Sequence, residues 1–158
     1  MPIAQEQALT DVLVEGGADY ELLPHRHTET ARAEARALGL QPDEVARTVV
    51  VRTGRGYVRV VVPASRRVDL NKLSGLLRTQ GETRLATEAE LAAAYPEFDL
   101  GAVPPLGGPA GDTVVVDVRL TRHMRLVFEA GTHDESVRLK TDDLVELTDA
   151  WVGDVCET

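Results

Sequence analysis

The sequence predicts a single α+β domain in which helices surround a mixed, largely antiparallel sheet. Short valine-rich runs alternate with segments of helical periodicity, and short turns separate most neighbouring runs. A chain of 158 residues is long enough to bury a substantial core, and 43% of it is hydrophobic although only 4% is aromatic. We therefore expect one domain over residues 1–158, with a core of valine, leucine and alanine.

The first half of the chain predicts two helices followed by a β-hairpin. Gly16-Gly17 ends the first helix, Thr28 is the expected cap of the second, and Gly39 stops it. Two valine-rich runs flank Gly54-Arg55-Gly56, a composition typical of a hairpin turn. The predicted elements are the helix Ile3–Glu15 within residues 1–19, the strand Tyr20–Leu23, the helix from Thr28 to Leu38, a turn at Pro42–Glu44, and the strands Thr48–Arg52 and Tyr57–Pro63.

The second half predicts three further helices and three strands. Asp69 caps a leucine-rich helix, and Thr87 with Glu90 forms a capping box for the next helix, which Pro96 closes. Thr141 caps the last helix, whose apolar side we expect to include Trp151. The predicted strands are Thr113–Val118, Arg125–Glu129 and Ser136–Leu139, and residues 153–158 form a tail.

Charge and composition restrict the classes of function. A net charge of −9 argues against binding along a nucleic-acid backbone, which depends on Lys and Arg. Residues 20–67, however, hold nine bases against five acids. This segment forms either a small cationic mouth for one end of an RNA or a nucleotide, or solvated ends of strands and a helix.

The chain has no run of about 18 apolar residues and no secretion-like N-terminus, so we expect no membrane association. Its single cysteine, Cys156, excludes an internal disulfide and suits a reducing cytoplasm, where we expect the protein to work.

Three short patches carry the functional signal. Gly101, Pro105 and Gly107 lie in a segment, residues 101–111, with four glycines and three prolines and no helical or strand periodicity. Such a loop can present rigid backbone N–H groups to a carbonyl oxygen or a phosphate, although a long Gly/Pro connection is more often only a loop. A second patch, Ala130–Ser136, follows a strand-like run, and a third, Val45–Val51, enters another strand.

In their order and spacing these patches resemble the YbaK / prolyl-tRNA synthetase associated domain family, over roughly residues 20–152. The resemblance implies an α+β fold with a curled, barrel-like sheet, and hydrolysis of the ester of mischarged aminoacyl-tRNA. It implies the acceptor end of an aminoacylated tRNA as partner and requires no cofactor. The residues that it marks as catalytic are Arg47 and His133, and those that it marks for substrate binding are His27, Thr48, Gly101, Pro105, Gly107, Gly131, Thr132 and Asp134.

Arg47 departs from the family, which carries a lysine before this strand. Arginine keeps the cation and offers a fork suited to phosphate or carboxylate, but it does not release a proton near neutral pH. A purely electrostatic role therefore survives the change and a proton-transfer role does not. Fifteen of the 17 basic residues are arginine, so a general drift toward arginine accounts for position 47 provided that the role there tolerates it. If lysine is strictly required, the chain is an altered or inactive relative.

Other hydrolytic chemistries find no support in the sequence. None of Ser65, Ser74 and Ser136 lies in a nucleophile-elbow sequence, and Cys156 is two residues from the chain end. His25 and His27 share strand parity, but no third metal ligand is evident, so we expect no metal site. Water must then be the attacking group.

Two main functions remain, beside a third possibility of a small-molecule binder that shares only the scaffold. The preferred one is a trans-acting aminoacyl-tRNA deacylase, and the alternative is a non-catalytic relative that binds tRNA or a nucleotide because Arg47 replaces the lysine. The acidic C-terminal segment 142–157 is either a surface for a basic partner such as a synthetase or a solvated face.

Overall fold

The computed structural model describes residues 4–108 and 112–158, and of residues 4–7 it describes the backbone alone. The predicted α+β class is confirmed. The helices are α1 (Ala4–Glu15), α2 (Ala31–Leu38), α3 (Leu70–Leu77), α4 (Glu88–Ala94) and α5 (Thr141–Thr148). The strands are β1 (Tyr20–Pro24), β2 (Ala46–Thr53), β3 (Gly56–Pro63), β4 (Arg84–Leu85), β5 (Thr113–Asp117), β6 (Arg125–Thr132), β7 (Glu135–Lys140) and β8 (Trp151–Gly153), with 3₁₀ turns at Pro42–Glu44 and Val118–Arg122.

The strands form two sheets. One has the order β1-β7-β6 and is antiparallel throughout. The other has the order β4-β2-β3-β5-β8, in which β3–β5 and β5–β8 are parallel and the remaining pairs antiparallel. A bridge between Val45 and Val127 joins the sheets beside β2 and β6. The sheets do not close into a barrel, so the barrel-like curl implied by the resemblance is not realised as a closed structure.

Valine builds the centre of the five-stranded sheet, as its abundance predicts. On β3, Val61 packs into a cluster with Leu9 of α1 and Phe128 of β6, whereas Val60 packs on the opposite face against Leu73 of α3. Because both faces of this strand are covered, β3 is almost continuously apolar rather than alternating.

Local signals placed most elements correctly, and three details were wrong. Thr30, not Thr28, caps α2 by accepting from the Ala33 N–H, because the helix begins only at Ala31; the Thr28 N–H donates instead to the His133 carbonyl. Thr141 begins α5 but caps nothing with its hydroxyl, which bonds the His123 carbonyl. Trp151 lies on β8 rather than on α5. Ile3 and residues 109–111, parts of two predicted segments, lie outside the described residues.

A buried arginine holds the Gly/Pro loop in place. The guanidinium of Arg59 on β3 is 3% exposed and pairs with both carboxylate oxygens of Asp112, at 2.7 and 3.0 Å. It also donates to the carbonyls of Pro104 and Gly107, both at 2.9 Å. Tyr95 completes the cluster by donating to Asp112 at 2.6 Å. The middle of the loop and the residue that follows it are thereby tied to the central strand.

Gly107 requires glycine for a second reason. Its φ is +87°, and a Cβ there would lie 2.8 Å from the Ala8 carbonyl oxygen of α1. The loop therefore packs directly on the N-terminal helix at this point. None of the described helices is long and apolar enough to cross a membrane.

Replacing Arg59 with Leu should destabilise the protein by about 3–5 kcal/mol, because Asp112 and two loop carbonyls lose a buried cationic partner. The measurement is the free energy of unfolding in urea. Arg122→Ala, at an exposed arginine, is the matched control and should change it by less than about 0.5 kcal/mol. Equal stability of the two variants would contradict this account of the loop.

Candidate functional site

A cavity of about 540 Å³ opens between α2, β2, the segment after β3, the start of the Gly/Pro loop and β6. Ala46–Val50 of β2 form one wall, and Gly101–Val103 of the loop form another. Phe128 and Glu129 of β6 contribute from the three-stranded sheet. The cavity therefore lies where the two sheets meet.

Four of the described residues that line this cavity are arginines, and they define what we call the arginine rim: Arg32, Arg47, Arg66 and Arg67. None of them forms an ion pair with a carboxylate of the described residues, although four arginines elsewhere, at positions 59, 84, 119 and 138, do form such pairs and others do not. In a protein of net charge −9, an unpaired group of this kind is a local excess of positive charge.

Arg47 is oriented by the backbone of its neighbour on the rim. Its Nε and Nη2 donate to the Arg66 carbonyl at 3.3 and 3.0 Å. Partial burial lowers the pKa of Arg47, and the nearby charges of Arg67 and Arg32 act in the same direction. A guanidinium remains protonated at neutral pH despite such a shift, so Arg47 is a fixed cation.

The interior of the cavity carries two buried carboxyl groups. Glu34 on α2 is 0% exposed and Glu129 on β6 is 9% exposed. Burial raises the pKa of Glu34 to about 7, against a lowering contribution from the hydroxyl of Ser136, which donates to it. Burial, together with the charges of Glu34, Glu29 and Asp99, raises the pKa of Glu129 to about 9. Glu129 is therefore protonated at neutral pH.

His133 connects the Gly/Pro loop to Glu129. Its Nε2 lies 2.7 Å from the Leu100 carbonyl, which can only accept, so Nε2 carries a proton. Its Nδ1 lies 3.0 Å from Oε2 of Glu129, although the two atoms are not aligned for a hydrogen bond. A protonated Glu129 avoids repulsion between an imidazole lone pair and a carboxylate at this distance. Nearby, the Asp99 N–H donates to the Gly131 carbonyl at 2.9 Å and ties the loop to β6.

His27 stands outside the cavity, next to His133. Its ring contacts Asp134 at 2.9 Å and Glu29 at 2.6 Å, and it meets the ring of His133 edge to face at 5.3 Å. Hydrogen bonds to Glu29 and Asp134 raise the pKa of His27. Glu29 contacts His27 and also lines the cavity, so it connects the exposed His27 to the cavity.

The predicted site residues fall into three positions. Arg47, Thr48 and Gly101 line the cavity, and Gly101 has a φ of +81° that favours glycine. His133, His27 and Asp134 lie beside it in the contacts described above. The remaining four do not line the cavity: Pro105 and Gly107 are in the part of the loop that faces Arg59 and α1, and Gly131 and Thr132 are buried in β6. Their predicted roles in substrate binding stay predictions.

Sequence reasoning missed the carboxyl groups and the other rim arginines. Glu34 had a detectable signal, because it lies three residues after Ala31 and four before Leu38 on the apolar face of α2. A charged residue on an apolar face is rarely fully buried without a partner. Glu129 follows an apolar strand run, a weaker signal. Arg66 and Arg67 are exposed and follow β3, and nothing local distinguishes them.

Comparisons with known proteins agree on one kind of domain. The model of the aminoacyl-tRNA editing domain family matches residues 25–147. No curated protein matches the sequence.

Solved structures resemble the chain over almost its whole length. A protein provisionally described as a trans-editing enzyme for prolyl-tRNA synthetase has a TM-score of 0.89 and 24% identity, with 100% of both chains covered. A hypothetical protein has a TM-score of 0.87 and 27% identity, covering 95% of this chain and 99% of its own. A scaffold protein used for computational epitope grafting has a TM-score of 0.88 and 24% identity, covering 98% of each chain.

Replacing Glu129 with Gln should flatten the dependence of stability on pH. The folded protein keeps a proton on Glu129 up to about pH 9, whereas the unfolded chain releases it near the ordinary glutamate pKa of 4.5. Wild-type stability should therefore fall as pH rises from 5 to 9, with Glu34 contributing only up to about pH 7. Each unit of pKa difference corresponds to about 1.4 kcal/mol.

The measurement is the free energy of unfolding at pH 7 and pH 9. We expect a shallower fall in Glu129→Gln than in wild type, and the wild-type fall in Glu146→Gln, whose side chain is exposed on α5. Parallel curves for all three proteins would show that Glu129 does not titrate in this range.

Proposed function

Because this chain belongs to the aminoacyl-tRNA editing domain family, we propose that it is a trans-acting deacylase that hydrolyses the ester of a mischarged aminoacyl-tRNA. The observation that carries the proposal is the cavity in which the arginine rim and Gly101 meet. The chain-long similarity to a structure provisionally described as a trans-editing enzyme supports action in trans.

The arginine rim suits the phosphates of the tRNA acceptor end. Arg32, Arg66 and Arg67 are supplied by two separate segments, and their guanidinium groups have no competing carboxylate among the described residues. Phosphate contacts by arginine hold a nucleic acid in position without reading its sequence. The terminal adenosine and its amino acid would then enter the cavity between β2 and the Gly/Pro loop.

Water is the attacking group in the proposed reaction. It adds to the ester carbonyl carbon, the bond to the ribose oxygen breaks, and that oxygen leaves as a hydroxyl after taking up a proton. Arg47 holds the terminal phosphate or stabilises the developing oxyanion, and the backbone near Gly101 adds N–H donors. Ser65 also lines the cavity, but its hydroxyl donates to Asp43 at 2.5 Å.

His133 and Thr48 have positioning roles in this proposal. The Leu100 carbonyl keeps a proton of His133 on Nε2, and Nδ1 is buried 3.0 Å from Oε2 of Glu129, so His133 acts by holding the start of the Gly/Pro loop and Glu129 in place. Thr48 lies one residue after Arg47 on the same wall of the cavity. Neither residue needs to form a covalent bond with the substrate, and no cofactor takes part.

The second candidate function is a non-catalytic module that binds tRNA or a nucleotide in the same cavity. It is favoured by the arginine at position 47, where the resemblance expects lysine, and by the net charge of −9. The two candidates differ only in whether the bound ester is hydrolysed. They are therefore separated by activity and not by binding.

The acidic C-terminal segment remains a predicted surface for a synthetase. Part of its charge is already used within the chain, since Asp154 pairs with Arg119 at 2.9 Å and with Lys72 at 3.0 Å. Asp142 and Glu146 on α5 are exposed. A basic partner would meet these α5 carboxylates rather than Asp154.

The purified chain, in stoichiometric excess, should hydrolyse at least one of alanyl-, cysteinyl- and seryl-tRNA faster than the buffer control. Arg47→Ala should lower kcat/KM by about 100-fold, because it removes one preorganised cationic donor. Arg47→Lys should retain measurable activity if the role is electrostatic. Arg122→Ala is the control and should match wild type.

Two results would overturn the deacylase. If none of the three aminoacyl-tRNAs is hydrolysed faster than in the buffer control, the claim of deacylase activity toward them is removed. Activity that appears only in Arg47→Lys would identify the natural chain as the binding module.

The arginine rim should make binding of the acceptor end dependent on salt. For an RNA minihelix that ends in single-stranded CCA and carries no amino acid, the slope of log affinity against log salt should become shallower by about 0.7 when Arg66 or Arg67 is replaced by Ala, if each contacts one phosphate. Arg122→Ala should leave the slope unchanged. Slopes identical in all four proteins would place the phosphates elsewhere.

A further inference from the structure

Two groups in the cavity have no part in the reaction proposed above. Glu34 lines the cavity from α2 and Glu129 lines it from β6, whereas Arg47 lines it from β2. Both side chains are at least about nine-tenths buried. Burying two carboxyl groups in one cavity costs free energy, so their presence calls for a physical explanation.

Each of these carboxyl groups offers an oxygen that has no hydrogen-bond partner among the described residues. On Glu34 it is Oε1, because Oε2 accepts from Ser136. On Glu129 it is Oε2, which lies close to Nδ1 of His133 without hydrogen-bond alignment. Buried polar atoms are nearly always hydrogen-bonded, so two such oxygens on residues of one cavity form a recognition site for a donor.

The electrostatics around these oxygens favour a cationic donor. The groups facing Glu129 are Glu34 of α2, Glu29 before α2, Asp99 before the Gly/Pro loop, and His133 after β6. No lysine or arginine of the described residues pairs with Glu34 or Glu129. The interior is thus acidic, whereas the rim is basic. A ligand that complements both carries a negative group near the mouth and a positive group inside.

We propose that Glu34 and Glu129 form an ammonium subsite that binds the α-amino group of the aminoacyl ester and selects esters with a free α-amino group against those with an acylated nitrogen. An aminoacyl-adenosine end has this distribution of charge, with phosphate on one side of the ribose and ammonium on the other. The inference rests on the proposed function, because that function supplies the aminoacyl ester as ligand.

The subsite has a proton signature. Glu129 holds a proton in the free protein at neutral pH, since its pKa is raised to about 9. An ammonium group beside it favours the carboxylate. When the ammonium binds, the carboxyl proton passes to the solvent and the carboxylate accepts hydrogen bonds from the ligand nitrogen. Binding should therefore release up to one proton per ligand at pH 7.5.

The test uses two amide-linked probes that cannot be hydrolysed as esters: 3′-alanylamino-3′-deoxyadenosine and its N-acetyl derivative. Affinity and proton release are measured by titration calorimetry at pH 7.5 in two buffers of different ionisation enthalpy. Wild type should bind the free-amino probe about tenfold or more tightly than the N-acetyl probe. Proton release should accompany only the free-amino probe.

Glu34→Gln and Glu129→Gln should reduce that preference to about threefold or less, and Glu129→Gln should abolish the proton release. Glu146→Gln is the control, with wild-type preference and release. The wild-type comparison of the two probes needs no variant, so a folding defect in either substitution leaves the inference testable. Equal affinity for the two probes, binding of neither, or a preference that survives both substitutions would overturn it.

This result is independent of hydrolysis. A preference for the free amino group in a protein that cleaves no ester supports the subsite and rejects only the deacylase. Ester cleavage without discrimination between the probes rejects the subsite and leaves the deacylase standing.

Discussion

The fold and its cavity depend on one buried ionic cluster, formed by Arg59, Asp112 and Tyr95. Arg59 lies on the central strand β3, and its guanidinium binds a carboxylate and two carbonyls of the Gly/Pro loop. A loop of glycine and proline has few side chains with which to pack, so its backbone carbonyls are the main groups through which other residues can hold it. The Arg59 cluster fixes the loop on the sheet, and the Asp99–Gly131 and His133–Leu100 contacts place Gly101 at the cavity.

The entrance of the cavity is basic and its interior is lined by carboxyl groups. Exposure keeps the arginines charged, whereas burial raises the pKa values of the glutamates. The arginine rim is solvated or partly solvated, and it keeps its charge. The carboxyl groups of Glu34 and Glu129 are removed from water, so their pKa values rise to about 7 and about 9. A site of this kind suits a ligand with a negative group at the entrance, where the charge is fixed, and a positive group inside, where the carboxyl groups can lose their protons. The proposed deacylase uses the basic entrance of this cavity, and the proposed ammonium subsite uses its acidic interior.

Elements that depend on neighbours in sequence were predictable. The Asp69 cap and the Thr87–Glu90 capping box form as predicted, because the bonding partners lie within three residues. The β2–β3 hairpin follows from its valine runs and glycine turn. Predictions failed where a distant segment competed. Thr28 bonds the distant His133 carbonyl through its N–H and lies before the helix, which begins at Ala31, while β5 pairs with Trp151 in a parallel strand. Strands as short as β4 carry no periodicity to detect.

The amino-acid sequence alone determined the family, the α+β class, the order of the main elements and the place of Arg47 on a cavity wall, because these follow from local periodicity, turns and short motifs. Tertiary structure decided which motif residues reach the cavity and which support it: Gly101 lines it, whereas Gly107 packs on α1. It also decided that Glu34 and Glu129 meet inside. Their burial and raised pKa values arise from segments about ninety residues apart in the chain, and no local pattern encodes that encounter.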